Sequence, residues 1–132
     1  MLPWATFTEP EIAHVGLTEA RARARASGEV RVLTLPLAAV DRAVTEGETA
    51  GFIKLIATPK GELLGATIAG PAAGELINEL ALAMEHGLSL GQIASTTHAY
   101  PTIGLGLQQV AGQFALEKTS HSGIVKLLRR LV

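Results

Sequence analysis

The sequence contains no cysteine, which excludes disulfide bonds, thiolate metal ligands and cysteine chemistry within its 132 residues. Aromatic residues make up only 4% of the chain, charged residues 17%, and the formal net charge is -1. Such a charge argues against nucleic-acid or membrane binding driven by bulk positive charge. No run approaches the ~18 consecutive apolar residues that span a bilayer, and the first residues lack a signal-peptide pattern. We therefore expect a soluble, cytoplasmic protein with no nucleic-acid or membrane partner.

Apolar residues are plentiful by contrast, at 48% of the chain. A chain of this length typically buries roughly two-thirds of its unfolded surface, which is enough for a hydrophobic core. No internal repeat, low-complexity tract or linker divides the sequence. We expect one domain over residues 1–132.

The first third of the chain alternates strand and helix signals. Residues 4–8 and 12–15 are rich in β-forming side chains, and Pro10 separates them because proline has no N–H for strand pairing. A helix is predicted over residues 18–26, with a threonine as its N-cap. Residues 30–37 alternate in polarity as a strand does.

Arginines occupy positions 21, 23 and 25 of this predicted helix. They could form a phosphate-binding patch. A solvated helix face is the more common arrangement for such a run, and we favour it.

The rest of the chain predicts a β-hairpin followed by helices. Two apolar strands, 52–56 and 62–69, flank a Thr-Pro-Lys-Gly sequence that suits a type I turn. Helices are predicted from Pro71 to the residue before Gly87, from the Ser89 capping box, over 103–117 and over 124–132, with a break at 119–123. Strands first and helices last indicate an α+β fold, an antiparallel β-sheet with helices packed on one face.

Few motifs point to chemistry. The segment Gly104 to Gln109 begins like a dinucleotide-binding loop but lacks its third glycine. The four histidines show no metal-ligand spacing, so no metal site is expected. One polar cluster remains at residues 96–102, where His98 is a candidate general acid or base and Tyr100 a candidate proton donor. The alternative is that this loop is structural.

Six segments in order resemble a known family. They are Phe7 to Glu19 (FTEPEIAHVGLTE), Arg42-Ala43, Gly51 to Leu55, Leu64 to Ala66, Gly70 to Ile77, and His98 to Thr102 (HAYPT). Together they resemble the C-terminal dimerisation domain of the pyridine nucleotide-disulfide oxidoreductases, which include dihydrolipoamide dehydrogenase, glutathione reductase and mercuric reductase. The resemblance covers about residues 4–117. Residues 118–132 form an amphipathic extension beyond it.

This resemblance implies a fold, a partner and cofactors. The family's interface domain is an antiparallel sheet packed against helices, and two copies associate as a homodimer. FAD and NAD(P)H lie in N-terminal domains that this chain does not contain, together with a redox-active cysteine pair. The loop before Pro101 then lies beside the partner subunit's flavin and disulfide. The resemblance makes Tyr100 the first catalytic candidate and His98 the second, and it implies no cofactor-binding residue in this chain.

The chain departs from the family pattern at the loop. Several branches have a histidine directly before the proline and a glutamate five residues after that histidine, which act as an acid–base dyad. Tyr100 and Leu105 occupy these positions here. A tyrosine there resembles mercuric reductase, but the cysteine pair that ends that enzyme is absent. Leu105 also removes one half of a capping box with Thr102, which predicts a looser start to the last long helix.

Three functional hypotheses follow. In the first, the chain is the dimerisation domain of a flavin-dependent NAD(P)H disulfide oxidoreductase and is inactive without its other domains. In the second, it is a standalone dimerisation or protein-binding module without catalytic activity. In the third and weakest, it is a small independent enzyme that uses His98 and Tyr100 for acid–base chemistry, against which the lack of a nucleophile or cofactor motif counts.

Overall fold

The computed structural model describes residues 1–120 and 123–131, with no side-chain description for 120 and 123–126. The strands are β1 (Trp4–Thr6), β2 (Ile12–Gly16), β3 (Arg31–Pro36), β4 (Phe52–Ala57) and β5 (Leu63–Ala69). The helices are α1 (Glu19–Arg25), α2 (Asp41–Thr45), α3 (Ala73–Glu85), α4 (Leu90–Ser95), α5 (Leu105–Ser120) and α6 (Gly123–Leu131), with a short 3-10 turn at Leu37–Ala39. No helix of these described residues is long and apolar enough to cross a membrane.

The strands form one sheet in the order β1-β2-β5-β4-β3, and all neighbouring pairs are antiparallel. The hairpin of β4 and β5 lies at its centre. Its turn closes with the Gly61 N–H donating to the Thr58 carbonyl at 2.9 Å, as the turn sequence predicts. The predicted α+β fold with an antiparallel sheet is confirmed.

The core lies between the sheet and helices α3, α4 and α5. Alternate residues of β4 point into it, so Ile53 and Leu55 are fully buried. Leu80 of α3 and Leu107 of α5 meet them from the helix side. This amphipathic layering explains why the apolar positions of the sequence recur with period two in the strands and with helical spacing afterwards.

The opposite face of the sheet carries the predicted first helix, whose position there the sequence did not indicate. Helix α1 lies there, with Ala22 buried against Ile56 and Val30. Glu19 pairs with Lys54 of β4 at 2.6 Å and with Arg23 at 2.8 Å. Lys54 first and Arg23 second lower the pKa of the Glu19 carboxyl. The long helices thus cover one face as predicted, and α1 covers part of the other.

Several helix ends differ from their predicted positions, including the start of α5 at Leu105 rather than at residue 103. Helix α3 begins at Ala73 rather than at Pro71, because Ala72 has a φ of 57° and so leaves the right-handed helical region. Glu11 caps this start, since its carboxylate accepts the Gly74 N–H at 3.1 Å. Helix α5 continues to Ser120 and so passes the first residues of the predicted break, while His121, Ser122 and Val132 lie outside the described residues.

Candidate functional site

The polar cluster predicted from the sequence is a loop between α4 and α5. Thr102 holds the end of this loop, because its hydroxyl donates to the Ala99 carbonyl at 2.6 Å and its oxygen accepts the Leu105 N–H at 3.2 Å. Half of the capping box therefore forms. The reciprocal half cannot form, because the side chain at 105 is apolar and offers no acceptor.

His98 fixes the loop to helix α3. Its Nε2 lies 2.6 Å from a carboxylate oxygen of Glu79, and its Nδ1 lies 2.8 Å from the Thr96 carbonyl oxygen. Both partners only accept hydrogen bonds, so both ring nitrogens must carry hydrogen for both bonds to form. The geometry therefore favours the imidazolium.

The electrostatics of His98 agree with this assignment. Burial lowers the pKa of the ring, since only 9% of the side chain is exposed. The hydrogen bonds to Glu79 and Thr96, the Glu79 charge and a hydrogen bond with Gln108 outweigh burial and raise the pKa above its ordinary value. A protonated His98 can donate a proton but cannot accept one.

Tyr100 lies on the outer side of the loop and contacts a different helix. The residue is 68% exposed, and its hydroxyl donates to a carboxylate oxygen of Asp41 at 2.9 Å. This hydrogen bond, and the carboxylate charge, raise the pKa of the Tyr100 phenol. Tyr100 is therefore an exposed, protonated phenol whose orientation is set by Asp41 at the start of α2.

Arg42 adds a second contact between α2 and the loop. Its guanidinium donates to the Pro101 carbonyl at 3.4 Å and pairs with Glu46 at 2.6 Å. The loop is thus held by α3 through His98 and by α2 through Tyr100 and Pro101. His98 and Tyr100 hydrogen-bond to carboxylates on different helices, so the structure does not place them around a common partner.

A groove of about 410 Å³ runs beside this loop. Arg42, Leu76, Pro101 and Ile103 are among its lining residues. Sequence reasoning missed Asp41 and Glu79 as partners, because they lie far from the loop along the chain and form no local pattern with it. In the sequence, the match of Arg42-Ala43 to the family pattern was the one signal that pointed to α2.

Two other histidines, His14 and His86, lie in the part of the chain that the structure describes. His14 is buried between Thr67 and Gly16. Its Nε2 lies 3.0 Å from the Gly16 carbonyl oxygen, which can only accept, so Nε2 carries a hydrogen, and its Nδ1 lies 2.9 Å from the Thr67 hydroxyl oxygen. His86 is the exposed C-cap residue of α3. Among the described residues, no group of three or more potential ligands could hold a metal ion.

The glycine-rich start of α5 serves packing. A Cβ at Gly106 would lie 2.8 Å from Ile53 Cδ1 and 3.0 Å from Val40 Cγ2. The absence of a side chain lets the helix approach the sheet at this point. This glycine therefore contacts the protein's own core, which does not fit a nucleotide-binding role.

The antiparallel sheet, its layer of helices and the docked loop define an α+β interface-type domain. The family model for the pyridine nucleotide-disulphide oxidoreductase dimerisation domain matches residues 2–111. The chain belongs to this family, as the resemblance predicted. It is a dimerisation domain similar to that of the dihydrolipoyl dehydrogenases.

Relatives of known name support this assignment. The chain is 44% identical over 122 residues to the dihydrolipoyl dehydrogenase of Halobacterium salinarum, covering 92% of this chain and 25% of the relative. It is 44% identical over 104 residues to the Bacillus subtilis enzyme of the same name, covering 78% of this chain and 22% of the relative. The chain thus spans about a quarter of the length of the curated relatives it matches.

Solved structures support the same family assignment. LpdA from Mycobacterium tuberculosis matches with a TM-score of 0.78 and 29% identity, over 85% of this chain and 24% of that one. The HOCl-induced flavoprotein disulfide reductase RclA from Escherichia coli matches with a TM-score of 0.80 and 29% identity, over 84% of this chain and 26% of that one.

Proposed function

We propose that this chain is the homodimerisation domain of a flavin-dependent NAD(P)H disulfide oxidoreductase. Within the dimer, the loop around Tyr100 would lie beside the partner subunit's flavin and redox disulfide. The family membership and the coverage of about a quarter of each relative support this assignment.

The cofactors of the whole enzyme would be held by domains outside this chain. Gly106 packs on Ile53 and Val40, so the glycine-rich segment is not a phosphate cradle. FAD and NAD(P)H, when bound elsewhere in the assembly, supply the hydride chemistry that reduces a disulfide. This domain would supply the pairing surface and the loop.

A surface for pairing lies next to the loop. Leu82 of α3 is a large exposed apolar residue, and Leu88 follows the same helix. Both line a groove together with Glu79 and His98. Leu82 is 60% and Leu88 36% exposed, so burying each against a second copy would contribute less than the roughly 1.5–3 kcal/mol of a leucine that starts fully exposed. The loop and these leucines would then meet the partner together.

Tyr100 is the residue that carries the proposed chemistry. Its exposed, protonated hydroxyl, oriented by Asp41, occupies the position at which other branches have the histidine of the dyad. Because its pKa is raised, the phenol keeps its proton and acts as a hydrogen-bond donor rather than as a base. We propose that the hydroxyl exchanges its hydrogen bond to Asp41 for one to a thiolate or substrate atom that develops negative charge. His98 would hold the loop and act as the second, less direct candidate.

The Tyr100→Phe variant of the full-length flavoenzyme tests this role. The substitution keeps the ring and removes only the hydroxyl. We expect NAD(P)H-dependent turnover of the disulfide substrate to fall by about 10²-fold, a common magnitude for the loss of an acid–base group. Reduction of the flavin by NAD(P)H should be unchanged, and Thr97→Ala in the same loop should be neutral. Unchanged turnover in the Tyr100→Phe enzyme would contradict the proposed donor role of the hydroxyl.

A further inference from the structure

The last 15 residues have a charge pattern that the rest of the chain lacks. All 12 acidic residues lie at or before Glu117, whereas four of the 11 basic residues follow it, namely Lys118, Lys126, Arg129 and Arg130. The segment is therefore basic within a chain of net charge -1. The family model matches residues 2–111 and so does not include this segment.

Helix α6 separates apolar from basic side chains. At about 100° per residue, Leu127, Leu128 and Leu131 fall within one arc of roughly 100°, and Arg129 and Arg130 fall on the other side. The three leucines are 60%, 57% and 75% exposed, respectively, although α6 contacts α5. These leucines are therefore not packed against the described core of the domain.

We propose that α6 binds an anionic lipid surface, which replaces the expectation of no membrane partner that the net charge of the whole chain suggested. A helix with leucines on one face and arginines on the other can lie in the plane of a membrane interface, with the leucines among the acyl chains and the arginines at the headgroups. Clustered basic residues on such a helix are attracted to anionic lipids. The uniform positive charge of the segment matches that surface.

A protein groove fits the same helix less well. Energetically dominant positions of protein interfaces are enriched in tryptophan, tyrosine and arginine and poor in leucine. Of these three types residues 118–132 supply only arginine, at Arg129 and Arg130, and they contain no acidic residue that would set the orientation of a partner. The net charge of the whole chain does not oppose lipid binding at close range, since charges beyond a Debye length of about 8 Å are screened at physiological salt.

Vesicle flotation of the 132-residue chain tests the proposal. Vesicles of phosphatidylcholine are compared with vesicles that also contain phosphatidylglycerol, at low and at physiological salt. We expect binding to the anionic vesicles alone, weakened by salt. Arg129→Gln combined with Arg130→Gln should weaken it roughly thirtyfold, about fivefold for each charge. Leu127→Gln combined with Leu131→Gln should weaken it at least about tenfold, because buried leucines contribute most of the insertion.

Matched variants separate this effect from bulk charge and bulk apolar surface. Arg21→Gln with Arg25→Gln removes two exposed charges from α1, and Leu116→Gln removes an exposed leucine from α5. Both should bind vesicles as the unaltered chain does. The proposal is overturned if the unaltered chain does not float with anionic vesicles at low salt. It is also overturned if the α6 variants float equally well, or if they alter only the oligomeric state, which would mark α6 as a protein-binding helix.

Discussion

At the scale of the residue, His98 and Tyr100 show how partners far along the chain set the properties of a side chain. The loop sequence suggests acid–base chemistry, but Glu79 and Asp41 decide which proton each group holds. These partners lie 19 and 59 residues away. No local pattern could have paired them, which is why the sequence predicted the candidates without their protonation states.

Tyr100 offers a direct titration, because it is the single tyrosine of the chain. We expect Asp41→Asn to lower the pKa of the phenol, since the substitution removes the carboxylate charge that disfavours the phenolate. Tyrosinate absorbance against pH measures this shift. Glu46→Gln is the matched control, because Glu46 lies at the end of the same helix and pairs with Arg42. An Asp41→Asn titration that coincides with that of the unaltered chain would refute the assigned hydrogen bond.

The His98–Glu79 pair predicts a pH-dependent contribution to stability. The folded-state pKa of His98 is raised, so the stabilisation is fully present below the ordinary histidine pKa of about 6.5 and is lost as pH rises through the folded value. We expect Glu79→Gln to lower the free energy of unfolding more at about pH 5.5 than at about pH 8.5.

Urea unfolding at both pH values measures this difference. Glu85→Gln, an exposed change on the same helix, should lower stability little and equally at both pH values. The histidine assignment is contradicted if the Glu79→Gln penalty is the same in acid and in base.

At the scale of the element, the sequence predicted helix caps and turns correctly where residues close together in the chain stabilise them. The Thr18 N-cap, the Ser89–Gln92 capping box and the Thr58–Gly61 turn all form as predicted. The errors arose where distant contacts decide. The left-handed Ala72 moves the start of α3, and packing places α1 on the second face of the sheet.

Two glycines of helix α5 should respond in opposite directions to alanine. A Cβ at Gly106 would meet Ile53 and Val40 at 2.8 and 3.0 Å, so Gly106→Ala should destabilise the domain by about 1–3 kcal/mol. A Cβ at Gly112 meets nothing within 4 Å, so Gly112→Ala should stabilise it by up to about 1 kcal/mol. Urea unfolding of both variants decides this. Equal effects of the same sign would disprove the close approach of α5 to the sheet.

At the scale of the whole molecule, the fold follows from the order of the elements. Strands that precede helices predicted an antiparallel sheet with a helical layer, and the matched motifs predicted the family. The dimer itself could only be inferred from that family, because a pairing surface has no sequence period of its own. The exposed leucines beside the loop were recognisable only once α3 and α4 were placed.

The mass of the chain in solution tests the central claim that this domain pairs with a second copy. Size-exclusion chromatography with light scattering, at about tens of micromolar, should give twice the 13.8 kDa of one chain. Leu82→Asp beside the loop should shift the mass towards the monomer, and Leu116→Asp, an exposed leucine on α5, should leave the dimer intact. A mass of 13.8 kDa at every concentration would contradict the account.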